Sequence, residues 1–282
     1  LSFPVLATII KYPHSSTSGN KKDMGVSYKK FGYFQSEFES FDVIVNSLGM
    51  KINNKVRRHP LVFLLEAADD IAYSVADIED GCKKGLITLE VLKKKMYRYL
   101  DSSNPSEYEI LSTLENINVD PNYPQPLEVI ASIFRIKIQN FMIDASIKAF
   151  INNHDKILSG DFDMDLLDLS EAEGLKKAFK ELGEILYNCK EVLKLELTGD
   201  KIITVLLEEF TKAITSPKRS RKGSKEEKLY NLISSNYRFL MEKYSDSENK
   251  LYNELRLITD FICGMTDSYA LDLYRSITAI NI

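Results

Sequence analysis

The pattern of apolar positions is clearest between His59 and Gly81, in the segment HPLVFLLEAADDIAYSVADIEDG. Apolar residues recur there every three or four positions, as they do along one face of an α-helix. No Gly or Pro interrupts the pattern between Pro60 and Gly81. We therefore predict one amphipathic helix, with an inward face formed by Leu61, Leu64, Leu65, Ala68, Ile71, Ala72, Val75 and Ile78.

A second face of this helix carries Asp69, Tyr73 and Asp77, each four residues from the next. Each step of four residues turns by roughly 40° and rises by roughly 6 Å, so the side chains form a row about 12 Å long. That length is close to the length of the sugar and phosphates of a nucleotide. The row is therefore a candidate for binding a ligand of that size.

Further acids lie on the same segment, and they have two interpretations. Glu66, Asp70, Glu79 and Asp80 would ordinarily form a solvated face. Acids four residues apart repel each other, however, and no Lys or Arg precedes Lys83 in the segment to compensate them. A bound Mg or Mn ion, for which carboxylate oxygens are the expected ligands, would relieve the repulsion. Spacing alone leaves both the solvated face and the metal site open.

Most of the remaining chain also has helical periodicity, and no segment shows the sustained alternation that is typical of a strand. We therefore predict an all-α fold. Besides the segment above, the predicted helices cover residues 3–12, 37–50, 88–99, 110–117, 127–152, 172–189, 191–214, 229–244, 251–263 and 267–280.

Composition and charge exclude several classes of protein. The 282 residues are enough for one large domain or two packed ones. A net charge of −4 gives no global basic field that would favour nucleic acid as the main partner. The three cysteines are widely separated, which favours reduced thiols in the cytosol. No apolar run is long enough to span a bilayer, so we expect a cytoplasmic protein without membrane contact.

Two basic segments, residues 14–32 and 216–228, are predicted to be loops. The second, SPKRSRKGSKEEK, contains Gly and Ser and is expected to be mobile. Its charge could attract single-stranded nucleic acid, but it has no aromatic residues on which bases would stack.

Several strings of residues together resemble one family. The segment EAADDIAYSVADIEDG is similar to the one that closes the metal site in deoxyguanosine triphosphate triphosphohydrolases, members of the HD-domain phosphohydrolase superfamily. Other strings agree in order along the chain: LATIIKYP, KKFGYFQSE, ILSGDFDMDLL, LELTGDKIITVLL and ICGMTDSYALDLY. The resemblance therefore covers nearly the whole chain.

The resemblance implies an HD-domain-like helical bundle with a C-terminal helical extension. Residues 1–152 would form the C-terminal part of the catalytic core, and residues 153–282 would pack on it. The implied activity is metal-assisted hydrolysis of dGTP or another dNTP at the α-phosphate, giving a deoxynucleoside and intact triphosphate. The implied cofactor is Mn or Mg, and the implied assembly is a homo-oligomer.

The resemblance also implies roles for particular residues. Asp69 would be the closing metal ligand, since two His and two Asp residues hold the metal in the resembled enzymes. Three residues would reach the substrate phosphates: Lys11, Tyr12 and Lys30. Tyr73 would pack where a ribonucleotide carries its 2′-hydroxyl, and Asp77 would accept a hydrogen bond from the 3′-hydroxyl. Guanine would be read by Glu196 and Arg238, for each of which an ordinary surface position is an equal alternative.

His154 and Asp155 form an His-Asp dipeptide, which is the hallmark pair of the superfamily. In the resembled enzymes that pair precedes the closing Asp, whereas this dipeptide follows Asp69. We therefore interpret it as part of a turn. His14 lies in the basic loop and His59 precedes a helix-starting Pro, so neither is expected to bind the metal.

The first His, the His-Asp pair and the general acid/base of the resembled enzymes have no counterpart in this sequence. We expect that an N-terminal portion of the same enzyme is absent here and is the partner that completes the site. These residues alone should then bind metal weakly and release no triphosphate from dGTP. A fragment, a processed piece and a degenerate relative all remain alternatives.

Two rival functions remain open. One is a non-catalytic subunit that senses dNTPs through Lys11, Tyr73 and Asp77. The other is a helical interaction protein that binds no nucleotide. A His and a later His-Asp pair encoded before Leu1 would favour the enzyme.

Overall fold

Helices form almost all of the regular structure in the computed structural model, which describes residues 1–18, 24–117, 119, 123, 126–244 and 249–279. The all-α prediction is confirmed, and a small antiparallel hairpin of β1 (Lys51–Ile52) and β2 (Lys55–Val56) is added to it. The helices are α1 (Phe3–Ile9), α2 (Phe38–Ser47), α3 (Pro60–Lys83), α4 (Leu89–Tyr99), α5 (Pro105–Asn116), α6 (Pro126–Asn152), α7 (His154–Leu158), α8 (Glu173–Tyr187), α9 (Lys190–Thr215), α10 (Lys225–Leu232), α11 (Ser235–Tyr244), α12 (Lys250–Cys263) and α13 (Asp267–Thr278).

The chain divides by its internal contacts into two units, residues 1–189 and 190–282. The first unit contains α1 to α8 and the hairpin, and the second contains α9 to α13. The division of a catalytic core from a C-terminal region after residue 152 stays a prediction. Residues 19–23 of the predicted basic loop and residue 280 of the last predicted helix lie outside the described residues.

Helix α3 begins as its sequence predicts. The residue before it, His59, is extended, and its ring Nδ1 accepts a hydrogen bond from the backbone N–H of Leu61 at 3.3 Å. Pro60 occupies the first helical position, where its missing N–H costs nothing. The helix ends at Lys83, two positions before Gly85, which adopts a φ of +68°.

The sequence pattern suggested that α3 ends at Gly81, but the helix continues through this residue to Lys83. A Cβ at this position would lie 2.5 Å from Leu186 Cδ2 and 2.8 Å from Ile87 Cδ1. The missing side chain therefore allows α8 and the segment after α3 to pack directly against the last turns of the helix.

The core of the first unit is built around α3, which packs against α6 and α8. Ile71, Val75 and Ile78 are buried as predicted, but Leu61 and Leu65 are 47% and 46% exposed. The N-terminal half of α3 turns another face inward, formed by Val62, Phe63, Ala67 and the charged residue Glu66. This corrects the prediction that Glu66 belongs to a solvated face.

The second unit has its own core, in which α9 packs against α10, α12 and α13. The single helix predicted over residues 229–244 is wrong, because α10 and α11 are separate helices. Ile233 between them is extended and 1% exposed, so burial of its side chain accompanies the break.

The basic segment 216–228 is more ordered than the predicted mobile loop. It contains a 3₁₀ turn over Pro217–Ser220 and the start of α10, whose first turn is capped by Ser224. Arg219 donates hydrogen bonds to the Ile214 carbonyl at 2.9 Å and to Glu254 Oε1 at 2.8 Å. Part of the segment's charge is therefore used within the unit. None of the helices in the described ranges is long and apolar enough to cross a membrane.

Candidate functional site

The row predicted on α3 faces outward along the helix. The side chain of Asp69 is 51% exposed, and Tyr73 is 69% exposed. Asp77, one helical step further, is partly buried. The buried apolar residues lie on the opposite side of α3, so the row is accessible to a ligand.

A cleft of about 630 Å³ opens beside this row within the first unit. Asp70, Tyr73 and Asp77 line it from α3, and α8 lines it with residues that include Lys176 and Tyr187. This volume is within the range of about 300–1,000 Å³ that is usual for small-molecule sites.

Asp77 is held by a residue that the sequence analysis did not single out. The hydroxyl of Tyr187, the last residue of α8, donates a hydrogen bond to Asp77 Oδ2 at 2.5 Å. This hydrogen bond, with burial, raises the pKa of the Tyr187 phenol, so the tyrosine remains a donor at neutral pH. Tyr187 comes close to α3 only through the packing of α8, which no local pattern reveals.

Lys176 of α8 joins several acids at one end of the cleft. Its Nζ lies 2.5 Å from Asp165 Oδ2, 2.8 Å from Asp168 Oδ1 and 3.8 Å from Asp70 Oδ2. Burial by itself would raise the pKa of Asp165, but its hydrogen bond and charge interaction with Lys176 lower that pKa. Burial and the nearby Asp165 raise the pKa of Asp70. Lys176 therefore compensates Asp70, for which the sequence left a solvated face and a metal site open.

Lys11 compensates acids at the N-terminal end of the row, as Lys176 does at one end of the cleft. Its Nζ lies 3.3 Å from Glu66 Oε1 and 3.8 Å from Asp69 Oδ2. Burial would lower the pKa of Lys11, but Glu66, Tyr12 and Asp70 together outweigh burial and raise it, so this lysine is charged at neutral pH. Two of the predicted site residues, Lys11 and Asp69, are thus neighbours.

Arg58 connects the residues around Lys11 and Glu66 at the N-terminal end of the row, and no pattern in the sequence identified it. Its side chain is 2% exposed, and its Nη2 donates to Glu66 Oε2 at 2.5 Å. Its Nε donates to the backbone carbonyl of Lys11 at 3.1 Å, and its guanidinium lies 4.7 Å from the ring centre of Phe63. One buried arginine therefore joins the turn after α1 to the first turns of α3.

The other two predicted phosphate contacts lie on neighbouring turns. Tyr12 follows Lys11, and a Cβ at Gly32 would collide with the Tyr12 carbonyl oxygen. The backbone N–H of Gly32 donates to the His14 carbonyl at 2.9 Å, so the turn after Lys30 packs directly on the turn after Lys11. Lys30 itself is exposed. The roles of Tyr12 and Lys30 stay predictions.

Glu196 and Arg238 lie in the second unit. Glu196 is exposed on α9. Arg238 of α11 donates from Nη1 to Asn231 Oδ1 at 3.0 Å, and its guanidinium lies 5.4 Å from the ring centre of Tyr230. Their proposed contacts with the base stay predictions.

The sequence predicted the positions of His14 and His59, but not that of His154. His14 stacks on Tyr28 at 3.8 Å, and His59 precedes α3. The interpretation of His154 and Asp155 as turn residues is wrong, because they begin the short helix α7, where both are exposed. Across the described part of the chain, no three His, Cys, Asp or Glu side chains are grouped so that they could hold a metal ion.

Comparison with known proteins finds several proteins to which this chain is similar. Residues 170–276 match the phosphohydrolase-associated domain. The whole chain is 35% identical over 288 residues to a deoxyguanosinetriphosphate triphosphohydrolase-like protein of Listeria monocytogenes, and 27% identical over 290 residues to one of Synechocystis. It is 29% identical over 312 residues to the deoxyguanosinetriphosphate triphosphohydrolase of Klebsiella pneumoniae. The chain spans 60% of the length of each of these relatives.

Proposed function

The chain matches the C-terminal part of the deoxyguanosinetriphosphate triphosphohydrolase family along its whole length, and from this we propose that it carries part of the substrate site of a dNTP triphosphohydrolase. The resemblance stated from the sequence is thereby confirmed at the level of the family. The proposed reaction hydrolyses the α-phosphate ester of a dNTP, with dGTP as the expected substrate, and releases a deoxynucleoside and triphosphate. The observation that best supports this proposal is the cleft in which Tyr73 and Asp77 of α3 face the lysines of α8.

The phosphates are proposed to bind near Lys11, with Tyr12 and Lys30 on the adjoining turns. A triphosphate carries several negative charges, and an ammonium group binds phosphate as a point charge with three donors. Lys11 lies 3.8 Å from Asp69 and has a raised pKa, so its charge is available at neutral pH. Arg58 donates to the Lys11 carbonyl and fixes the backbone from which this lysine projects.

The sugar is proposed to bind between Tyr73 and Asp77. A carboxylate has about four lone-pair sites, so Asp77 can keep its hydrogen bond from Tyr187 and still accept one from a 3′-hydroxyl. Tyr73 lies one helical step away and would exclude a 2′-hydroxyl by contact. Steric rejection of an added hydroxyl is a modest discriminator, and the polar anchor at Asp77 strengthens it by fixing the sugar.

A divalent metal, Mn or Mg, would supply a Lewis acid to the reaction. Asp69 fits one position in its shell, because its carboxylate is half exposed and lies beside the proposed phosphate site. The described residues supply no complete ligand set. We therefore propose that Asp69 is one ligand and that residues of the enzyme outside these 282 provide the others.

In the second unit, Glu196 and Arg238 are proposed to read the base. A glutamate can accept hydrogen bonds from N1 and N2 of guanine, and an arginine can donate to O6 and N7. The guanidinium of Arg238 keeps donors besides the one that it gives to Asn231.

Replacement of Asp69 in the full-length protein tests the proposal. Asp69→Ala should abolish metal-dependent release of triphosphate from dGTP and leave the far-UV circular dichroism unchanged. Asp80→Ala is the matched control, since Asp80 is an exposed acid on the same helix and does not line the cleft.

The possible results separate the proposed functions. Wild-type turnover by Asp69→Ala would disprove its role as a ligand. Binding of dGTP by the wild type without any hydrolysis would instead favour the nucleotide-sensing subunit. Absence of both binding and hydrolysis would favour the helical interaction protein.

A further inference from the structure

A second, smaller cavity in the first unit has a basic lining that the proposed reaction does not use. It measures about 200 Å³ and shares no lining residue with the cleft. The segment from Lys55 to Arg58, which runs from β2 to α3, forms one wall. Ser27, Gly160, Phe162 and Asp163 contribute to the others.

Two guanidinium nitrogens in this wall are buried and have no hydrogen-bond partner among the described residues. They are Nε of Arg57 and Nη1 of Arg58. The side chain of Arg58 is only 2% exposed. Its other two guanidinium nitrogens already donate to Glu66 and to the Lys11 carbonyl. A buried donor without an acceptor destabilises the fold, and more so when the group is charged. Two arginines that line the cavity thus each keep a charged donor without an acceptor.

The position of Arg57 is fixed by the backbone opposite it. Gly160 adopts a φ of +74°, and a Cβ there would lie 2.6 Å from Arg57 Cγ. The bare glycine therefore lets the arginine stem pack closely against the turn after α7. This packing limits the directions in which the guanidinium can turn to find another partner.

The charge balance of the lining favours an anion as the acceptor. Lys55, Arg57 and Arg58 face a single lining acid, Asp163, among the described residues. Arg58 is neutralised by Glu66, and Asp163 accepts from the backbone N–H of Ser27 at 3.0 Å and from its hydroxyl at 2.9 Å. Lys55 and Arg57 together exceed Asp163 by one positive charge. Water would satisfy the nitrogens alone, whereas an anion would also balance this charge.

We propose that this cavity binds a phosphate-type oxyanion between Arg57 and Arg58. A tetrahedral oxyanion presents several acceptor oxygens, and guanidinium groups bind such oxygens with short, charge-assisted hydrogen bonds. The volume of about 200 Å³ accommodates an inorganic phosphate with accompanying waters. An anion at Arg58 Nη1 shares that guanidinium with Glu66 and with the Lys11 carbonyl.

Titration calorimetry with inorganic phosphate on the 282-residue chain, at constant ionic strength, tests the site. The wild type should bind one phosphate. Arg57→Gln should weaken binding by about tenfold or more, since it removes a charged donor. Lys51→Gln is the matched control, because Lys51 is an exposed lysine of the same hairpin that does not line the cavity, and it should leave the affinity unchanged.

A second variant keeps the test valid if Arg57→Gln disturbs the fold. Asp163→Asn removes the lining acid and keeps a carbonyl oxygen for the Ser27 N–H, so it should tighten phosphate binding. No measurable phosphate binding by the wild type would overturn the proposal and leave water as the partner of the two nitrogens. Binding that responds equally to Arg57→Gln and Lys51→Gln would overturn it as well, because it would indicate nonspecific attraction.

Discussion

Replacing Arg58 by methionine should destabilise the first unit strongly. The substitution removes a cation that is 2% exposed and leaves the carboxylate of Glu66, 9% exposed, without its closest partner. Breaking a buried ion pair from one side costs about 3–5 kcal/mol. Lys11 remains 3.3 Å from Glu66 and compensates part of that cost, so we expect a loss near the lower value, about 3 kcal/mol.

The double variant Arg58→Met, Glu66→Leu separates the charge effect from a packing effect. Replacing both members of a buried pair by apolar side chains is often neutral or stabilising. We therefore expect the double variant to lie within about 1 kcal/mol of the wild type, and so to be more stable than Arg58→Met alone.

Urea unfolding followed by far-UV circular dichroism measures these differences, since the chain contains no Trp for fluorescence. Hydrogen exchange of peptides from α3 assigns the change to the first unit, and peptides from α12 in the second unit serve as the internal control. A loss below about 1 kcal/mol for Arg58→Met, or a double variant no more stable than Arg58→Met, would refute the reasoning.

Three further predictions follow from the packing and the charges. Gly81→Ala should destabilise the fold by about 1–3 kcal/mol, because the added Cβ would overlap core side chains. Gly199→Ala should stabilise the fold by about 0.4–1 kcal/mol, because no atom lies within 4 Å of the added Cβ. Thermal unfolding measures both changes. Burial raises the pKa of Cys82 to about 11, so a maleimide at neutral pH should label the exposed Cys263 and spare Cys82, as read by mass spectrometry. Lys176→Met should lower stability at neutral pH, because Lys176 lowers the pKa of Asp165 in the folded protein. That contribution is complete above the unfolded value of 3.8 and declines as the pH falls toward the lowered pKa, so urea unfolding at about pH 3 should show a smaller loss.

The helices were predictable because their signals are local. The Pro and the apolar period that begin and continue α3 lie within the segment itself, and the prediction placed its start to within one residue. The inward face was harder to predict. Near its N-terminus α3 carries apolar residues almost all round, so periodicity does not choose between Leu61 or Leu65 and Val62 or Phe63. Packing against the rest of the unit makes that choice.

The site was predictable only where one helix carries it. The spacing of Asp69, Tyr73 and Asp77 gave a row that the structure leaves accessible, but Tyr187 reaches that row from another helix. Glu66 was assigned to solvent because its partners are not at helical spacing within α3. A pattern confined to one segment cannot detect such pairs.

The charge pattern of α3 also bears on how the chain folds. This helix contains six acids and one lysine, Lys83, which pairs with Glu79 at 3.0 Å. The other compensating cations come from Lys11, Arg58, Arg135 and Lys176. Most of these partners are distant in sequence, so the loops between them must close before the acids are neutralised. A peptide of residues 60–83 should therefore be weakly helical in water. In the folding of the whole chain, α3 should gain most of its stability together with the elements that surround it, as a long-range and slower step than the formation of an autonomous helix.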